Sequence, residues 1–492
     1  MTNKLAPGST IYFIGIAGTG MAAVAGLLQE AGYRVKGSDA AIYPPMSDML
    51  AELNIPVATP YDPQNIVAAK PDIIFVANAL SRGHPELEFA LSEGLAYTSF
   101  PKLLGDLVLS QSTSVVVAGT HGKTTTTALL AFLLTELHHQ PGYLIGGVPR
   151  DLASAFSLGN RKVFVIEGDE YDTAFFDKGS KFLHYHPRFA ILNNLEFDHA
   201  DIFKDLAAIE GQFTKFVGLV ENHRNLVVNV DDPGMRSLVT RLGIIDQITS
   251  VSGLGQHNDA SLVVQSAGAI TTKAGSQSAN WQLRLKSEVF GSFDLETQLT
   301  GVHNASNIAH AIGLLGRLQQ EELIGKISIP DLQAIVVRFR GVKRRLEHLN
   351  SWNNIDIYED FAHHPTAVGL VLDGFRASHP GRRILAAFEP KNATSRRNVF
   401  TEHFAQSLGK ADLVFIGKCP EDSRIAPDQR MDTGKLAKLI GERAIACAEN
   451  DELGEKLAAA ARPGDAIIFM SAGSFSGIQH RLITMIQHGG SK

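Results

Sequence analysis

Residues 118–127 read AGTHGKTTTT, between an apolar run at 115–117 and another at 128–134. A glycine turn that joins a strand to a helix and carries one lysine is suited to an anion. Successive backbone N–H groups converge on it, and the helix N-terminus adds partial positive charge. Gly119, Thr120, His121, Gly122 and Lys123 supply that cradle. Lys123 adds a full charge for the outer phosphates of a nucleotide, and the Thr124 and Thr125 hydroxyls are candidate ligands for Mg2+. The spacing is shorter than the usual G-x-x-x-x-G-K-[ST], because Val117, not glycine, stands five residues before Gly122. A plain helix-opening turn is the alternative. A lysine at the mouth of a helix is unfavourable, however, without an anion to meet it.

Carboxylates gather further along. The strand-like run 162–166 leads into Glu167, Gly168, Asp169 and Glu170, with Asp172 just beyond. So many acids in one turn repel one another unless a cation is near, and Mg2+ prefers oxygen ligands. Glu167 ends the strand that follows the loop helix, so it is expected beside the phosphates. A solvated acidic turn is the bland reading. The run 189–192 leads to Asp198 and His199, a histidine just past a strand end and a candidate functional group.

Gly15, Gly18 and Gly20 follow a third apolar run at 11–14. Their spacing is not the dinucleotide fingerprint G-x-G-x-x-G, because position 17 is alanine. Asp39, after Ser38, does stand about 20 residues on, where a ribose-binding acid belongs. With a phosphate loop in the next segment, a nucleotide-linked substrate fits better than NAD. Near the C-terminal third, Asp360 to Pro365 read DFAHHP, a shaped helix start in which His363 and His364 either bind substrate or only cap the helix. Lys343, Arg344 and Arg345 are either a solvated patch or a source of one arginine that reaches the phosphates. Lys391, Arg396 and Arg397 are cations near Glu389 at a strand end; they either receive an anionic substrate or, at 395–397, only open a solvated helix.

These residues all fall at the ends of apolar runs, which assigns the elements. Strand-like runs alternate with helix-like ones at 11–14, 33–36 and 72–77, then at 162–166, 189–192 and 226–230, then at 355–358, 384–388, 413–416 and 466–470. That alternation predicts α/β architecture with parallel sheets, whose ligands lie at strand C-termini. Residues 248–300 are richer in Ser, Gly and Thr, and predict a small antiparallel part. A helix begins at Gly301. The 492 residues suit about three domains, with expected spans 1–112, 113–338 and 339–492. Hydrophobic content of 44% and charged content of 20% are ordinary for a globular chain. A net charge of −6 and the lack of a long basic run argue against nucleic acid. No apolar run reaches the roughly 18 residues of a membrane span, and no charged leader precedes an apolar core. Cys419 and Cys447 make no metal spacing. A cytoplasmic enzyme is expected, with no protein partner evident.

Taken together, GIAGTGM, GSD, GTHGKTTTT, EGDEYD, EFDHAD, GVHNASN and EDFAHHPT resemble the Mur ligase family, the ATP-dependent amide ligases of peptidoglycan synthesis. The resemblance runs over essentially the whole chain. It implies a Rossmann-like N-terminal domain for the UDP-sugar and a P-loop ATPase domain with a mostly parallel sheet. A Rossmann-like C-terminal domain would bind the amine and complete the ATP site. By it, Lys123 holds ATP phosphates, Thr124 or Thr125 holds Mg2+, and Glu167 and His199 are further metal ligands. Asn304 and Asn307 lie near the adenine, and Arg345 and Asp360 complete the ATP site. Gly15, Gly18, Gly20, Ser38 and Asp39 serve the UDP part. Several members carry a carbamylated lysine after the metal-binding histidine; here Glu210 or its neighbours occupy that region, flanked by Lys204 and Lys215.

Within the branch that uses UDP-N-acetylmuramate, members add either free L-alanine or the recycled tripeptide L-alanyl-γ-D-glutamyl-meso-diaminopimelate. The stretches at 41–47, 146–149, 171–182 and 191–203 resemble the tripeptide-adding kind. So does FEPKN at 388–392, where alanine-adding members carry a QPHR-type stretch. The implied reaction is ligation through an acyl phosphate in peptidoglycan recycling.

Overall fold

The computed structural model describes residues 5–43, 46–78, 80–270 and 280–489. Pro44 and Pro45, in the 41–47 stretch, lie outside them. The chain forms three α/β domains, each built on its own main sheet.

The first sheet has five parallel strands in the order Val57–Ala58, Arg34–Ser38, Thr10–Ile14, Ile73–Val76, Tyr97–Ser99. TIYFI is buried along its whole length, as a strand covered on both faces must be. The strand order reverses at Thr10–Ile14, and the crevice this opens lies at Gly15.

The central sheet has ten strands. Its middle reads Phe189–Leu192, Thr113–Ala118, Val163–Gly168, all parallel. Register pairs Ala118 with Leu192 on one side and with Gly168 on the other. The phosphate loop, the acidic turn and the His199 segment therefore leave the sheet side by side at the same edge. The helix Lys123–Glu136 is buried from Thr124 to Leu134, between this sheet and the helix Val302–Gln320. A helix apolar all round needs such cover. The strands Leu262–Ala269, Trp281–Ser287 and Gly291–Thr297 are antiparallel, as the composition of 248–300 predicts, and extend the same sheet.

The third sheet has six strands, in the order Glu347–Trp352, Ile355–Asp360, Ala466–Met470, Ile384–Phe388, Leu413–Ile416, Ala444–Ala446. Only Glu347–Trp352 runs antiparallel. One helix of this domain, Pro365–Ser378, touches the central domain at its far end. Trp281 Nε1 donates to Ser378 Oγ at 2.8 Å, and a Cβ on Gly374 would meet Gly301 Cα at 3.0 Å.

Candidate active site

The loop between Ala118 and Lys123 is fixed from both sides. Gly119 (φ +136°) and Gly122 (φ +81°) take backbone conformations that favour glycine, and neither has room for a side chain. A Cβ on Gly122 would lie 2.5 Å from Asn307 Oδ1, and one on Gly119 would lie 2.9 Å from the Asn194 nitrogen. The Asn194 side chain accepts from His121 N at 2.7 Å, and its carbonyl accepts from Thr120 N at 3.0 Å. Asn193 Nδ2 donates to the His121 carbonyl at 3.3 Å. Asn193 and Asn194 had no signal in the sequence beyond their place after a strand, and they set the loop's shape.

Lys123 Nζ lies 2.9 Å from Glu170 Oε2 and 2.6 Å from the Gly119 carbonyl. Burial works against its charge, and the carboxylates of Glu170, Asp169 and Glu167 outweigh burial and hold the pKa above the ordinary value. Glu170 is buried too; Lys123 and His199 overcome that burial and hold its carboxyl below the usual range. His199 Nε2 sits 3.1 Å from Glu170 Oε1. Its own burial opposes protonation, but the Glu170 contact prevails and raises its pKa. His199 also adopts a left-handed φ of +56°, a conformation that costs about 1–3 kcal/mol outside glycine and marks a constrained position. Asp169, Glu170 and His199 bring three ligand atoms within 4.8 Å of one another.

Glu167 lies on the other side of Thr124. It accepts from Thr124 Oγ1 at 3.2 Å and from Gly146 N at 2.6 Å, and burial raises its pKa. The expected metal set thus divides: Thr124 and Glu167 together, His199 with Glu170. Thr125 is buried, and among the described residues no side-chain hydrogen bond joins it to either group. The combined donors are mostly oxygen, which fits a hard ion such as Mg2+. Glu210 pairs instead with Arg241 at 2.8 Å.

The third domain contributes Arg345. Its Nη2 donates to Thr124 Oγ1 at 3.3 Å, and its guanidinium lies over the Phe361 ring at 5.3 Å. The residues on either side, Arg344 (φ +59°) and Leu346 (φ +47°), are both left-handed. Polar contacts hold that turn: Arg344 Nε to Glu359 at 2.8 Å and Leu346 N to Asp360 Oδ2 at 2.7 Å. Asp360 is buried, which raises its pKa, and it also accepts from Ala362 N at 2.7 Å. Asp360 therefore positions the turn that presents Arg345.

Other expected site residues lie around this centre. Asn304 Oδ1 accepts from Asn307 Nδ2 at 3.1 Å, and both stand on the helix packed against Gly122. His363 is half-buried, with Nδ1 2.8 Å from the Phe361 carbonyl. Burial pushes its pKa down to about 4. In the first domain, Asp39 Oδ2 accepts from Ala17 N at 2.8 Å, which closes the loop around Gly15 (φ +88°) and Gly18. A Cβ on Gly20 would meet open space. Ser38 is fully buried with its hydroxyl on Glu86, so its side chain holds the strand end.

Lys391 lies in the third domain, at a cavity of about 420 Å³ with Glu389, Lys418, Glu421, Glu449 and Asn450. Among the described residues no carboxylate lies within ion-pair reach of the Lys391 ammonium. Arg396 is paired to Asp422 at 2.9 Å.

Family models match along most of the chain: Mur ligase family, catalytic domain, at 10–112; Mur ligase middle domain at 117–315; and Mur ligase, glutamate ligase domain, at 344–473. The chain belongs to the Mur ligase family. It is an ATP-dependent amide ligase of a family that serves peptidoglycan biosynthesis and recycling. It is 35% identical to the UDP-N-acetylmuramate–L-alanyl-γ-D-glutamyl-meso-2,6-diaminoheptandioate ligase of Escherichia coli K12, over 96% of this chain and 97% of that one. It is 32% identical to the UDP-N-acetylmuramate–L-alanine ligase of Pediococcus pentosaceus, over 95% and 97% of the two chains. The crystal structure of a murein peptide ligase from Psychrobacter arcticus superposes with a TM-score of 0.68 at 32% identity, covering 97% of this chain and 99% of that one. The three-domain Mur ligase fold expected from the motifs is the fold observed. Among the described residues, no helix is long and apolar enough to cross a membrane.

Proposed function

We propose that this ligase joins UDP-N-acetylmuramate to the tripeptide L-alanyl-γ-D-glutamyl-meso-diaminopimelate. The observation that carries this reading is the third-domain cavity. At about 420 Å³ it has far more room than the methyl group of alanine needs. Its lining mixes Lys391 and Lys418 with Glu389, Glu421 and Glu449. Such a lining suits a ligand end that carries both an ammonium and carboxylates, as diaminopimelate does. The likeness to ligases named for that tripeptide supports the same choice.

On this reading residues 1–112 hold the UDP-sugar, 113–338 hold ATP, and 339–492 hold the amine. A carboxylate oxygen of UDP-N-acetylmuramate attacks the γ-phosphorus of ATP, and ADP leaves. Two anions must meet, so the main task is charge neutralisation. Lys123 and Arg345 face that place from two domains. Glu167, Glu170, Asp169, His199 and Thr124 would hold Mg2+, which supplies further positive charge to the phosphates when bound. The amine nitrogen then attacks the acyl carbon, and phosphate leaves with the proton that the nitrogen loses. His363 donates through Nδ1 to Phe361 and keeps Nε2 as an acceptor, but a pKa near 4 makes it a weak base. Its part is to orient the amine. The cleft between the central and third domains keeps water from the acyl phosphate.

The test is a product-mass assay with ATP, Mg2+, UDP-N-acetylmuramate and either amine. The tripeptide adduct should form readily and the L-alanine adduct poorly. The reverse preference would assign the chain to the alanine-adding ligases.

A further inference from the structure

The His121 side chain turns from the phosphate loop toward Glu196 and the third domain. His121 Nε2 and His364 Nδ1 lie 3.2 Å apart, and Glu196 Oε2 lies 3.4 Å from the first and 3.5 Å from the second. No step described above uses this group. We propose that His121, Glu196 and His364 form a divalent-cation site of the imidazole-preferring kind, zinc above all, which ties the phosphate loop to the third domain.

The triangle has the right size. A tetrahedral ion with bonds of about 2.0–2.1 Å holds its donors about 3.3–3.4 Å apart, within 0.1 Å of the 3.2, 3.4 and 3.5 Å between these atoms. The histidine presents the right atom. His364 Nε2 faces the Phe197 carbonyl at 3.2 Å. A carbonyl can only accept, so Nε2 carries the proton and Nδ1 is left with its lone pair toward the other two donors. His364 is 4% exposed, and that burial first, then His121, pushes its pKa down to about 4, so the ring is in the neutral form that ligates. The carboxylate is oriented as well, by Thr366 Oγ1 donating to Glu196 Oε2 at 2.7 Å. Three protein donors leave the fourth position of the tetrahedron for water or a ligand.

The neighbouring group differs in kind. Asp169, Glu170 and His199 offer two carboxylates and one imidazole, whereas this site offers two imidazoles and one carboxylate. The first set favours a hard ion and the second a borderline-soft one. The donors also come from three places: the phosphate loop, the segment that follows the strand Phe189–Leu192, and the residue before the helix Pro365–Ser378. An ion bound here stabilises the joined arrangement of the two domains.

The experiment loads the full-length protein with Zn2+ in the presence of excess Mg2+, desalts it, and measures retained zinc by atomic emission. Co2+ replacement then reads the site's geometry by visible absorption. Wild type and His199→Ala should each keep about one equivalent and show the intense bands of a tetrahedral cobalt site. His364→Ala and His121→Asn, one in each domain, should bind at least about tenfold more weakly while thermal melts show them folded. Glu196→Gln should do the same. The proposal is overturned if folded wild type keeps no zinc. It is equally overturned if His199→Ala alone loses it, or if His364→Ala and His121→Asn keep it unchanged. The trio would then be a hydrogen-bonded contact only.

Discussion

Arg345 Nη2 and Thr124 Oγ1 are 3.3 Å apart, a hydrogen bond that crosses from the third domain to the first turn of the phosphate-loop helix. On the proposed reading the ATP site is thus shared, and neither domain holds all of its positive charge. Arg345→Ala should lower kcat about a hundredfold or more, since one contact to developing charge is worth on the order of 3 kcal/mol. Arg345→Lys should recover little, because a single ammonium does not reproduce the planar fork. Steady-state ligation assays on folded variants check this; a lysine variant near wild type would show that charge alone is needed.

Lys123→Ala should abolish ligation, by about a hundredfold or greater. It also strips Glu170 of its nearer cation, 2.9 Å away, and leaves a buried carboxylate with His199. A modest drop in Tm is therefore expected beside the kinetic loss. Ligation at near-wild-type rate by a folded Lys123→Ala protein would remove the lysine from the phosphate site.

Glu167→Gln and Glu170→Gln should both raise the Mg2+ concentration needed for half-maximal rate, and Mn2+ should partly restore at least one of them. His199→Ala should behave like the Glu170 variant, because the two side chains touch. Metal-titrated initial rates give the answer. Unchanged metal dependence in all three would mean that these groups serve only to hold Lys123 and Thr124.

Lys391→Ala should raise KM for the tripeptide strongly and leave KM for ATP and UDP-N-acetylmuramate nearly unchanged, because binding of only one substrate is lost. An equal rise for all three substrates would point to a damaged third domain.

Acid should destabilise the protein well above the carboxylate range. His303, His310, His363 and His364 are each pushed down to about 4, by burial first. Unfolded histidine titrates near 6.5. Between these values the unfolded chain binds more protons, so stability falls as pH is lowered through the window, by up to about 1.4 kcal/mol per pH unit for each group. Asp232, raised to about 6 mainly by burial, works in the opposite direction, as do Glu167, Asp360 and His199, whose pKa values are raised as well. In chelator-treated buffer the urea midpoint should be lower at pH 5 than at pH 7. A level or rising midpoint would contradict the buried neutral histidines.

Much of this was legible because strand ends carry the chemistry. Apolar runs such as 189–192 and 466–470 became strands with the same bounds, and Gly119 to Lys123 could be placed before any side chain was seen. The hairpin of Asp172–Ala174 and Asp177–Ser180 was not legible, since it is short and polar and has no period to read. Glu167 is legible in sequence as the acid that ends the strand, whereas nothing there singles out Glu170. They are three residues apart, and only the turn after Gly168 sends one to Thr124 and the other to Lys123. The Glu196–His121–His364 group was out of reach for a simpler reason: its members are far apart in sequence and meet only through the packing of two domains.

The helix Pro365–Ser378 has its end at Ser378 fastened to Trp281 and its beginning beside His121. At 1.5 Å per residue its 14 residues make a rod about 21 Å long. Held at Ser378 and released from the Thr366–Glu196 and His364–Phe197 contacts, such a rod is a lever. A turn of about 10° at the Trp281 corner carries the His364 end through about 3.7 Å. That displacement exceeds the 3.2 Å between the two imidazoles. A small rotation at a point remote from the phosphates is thus enough to part the third domain from the loop, and the fastening at Ser378 need not break for it to happen.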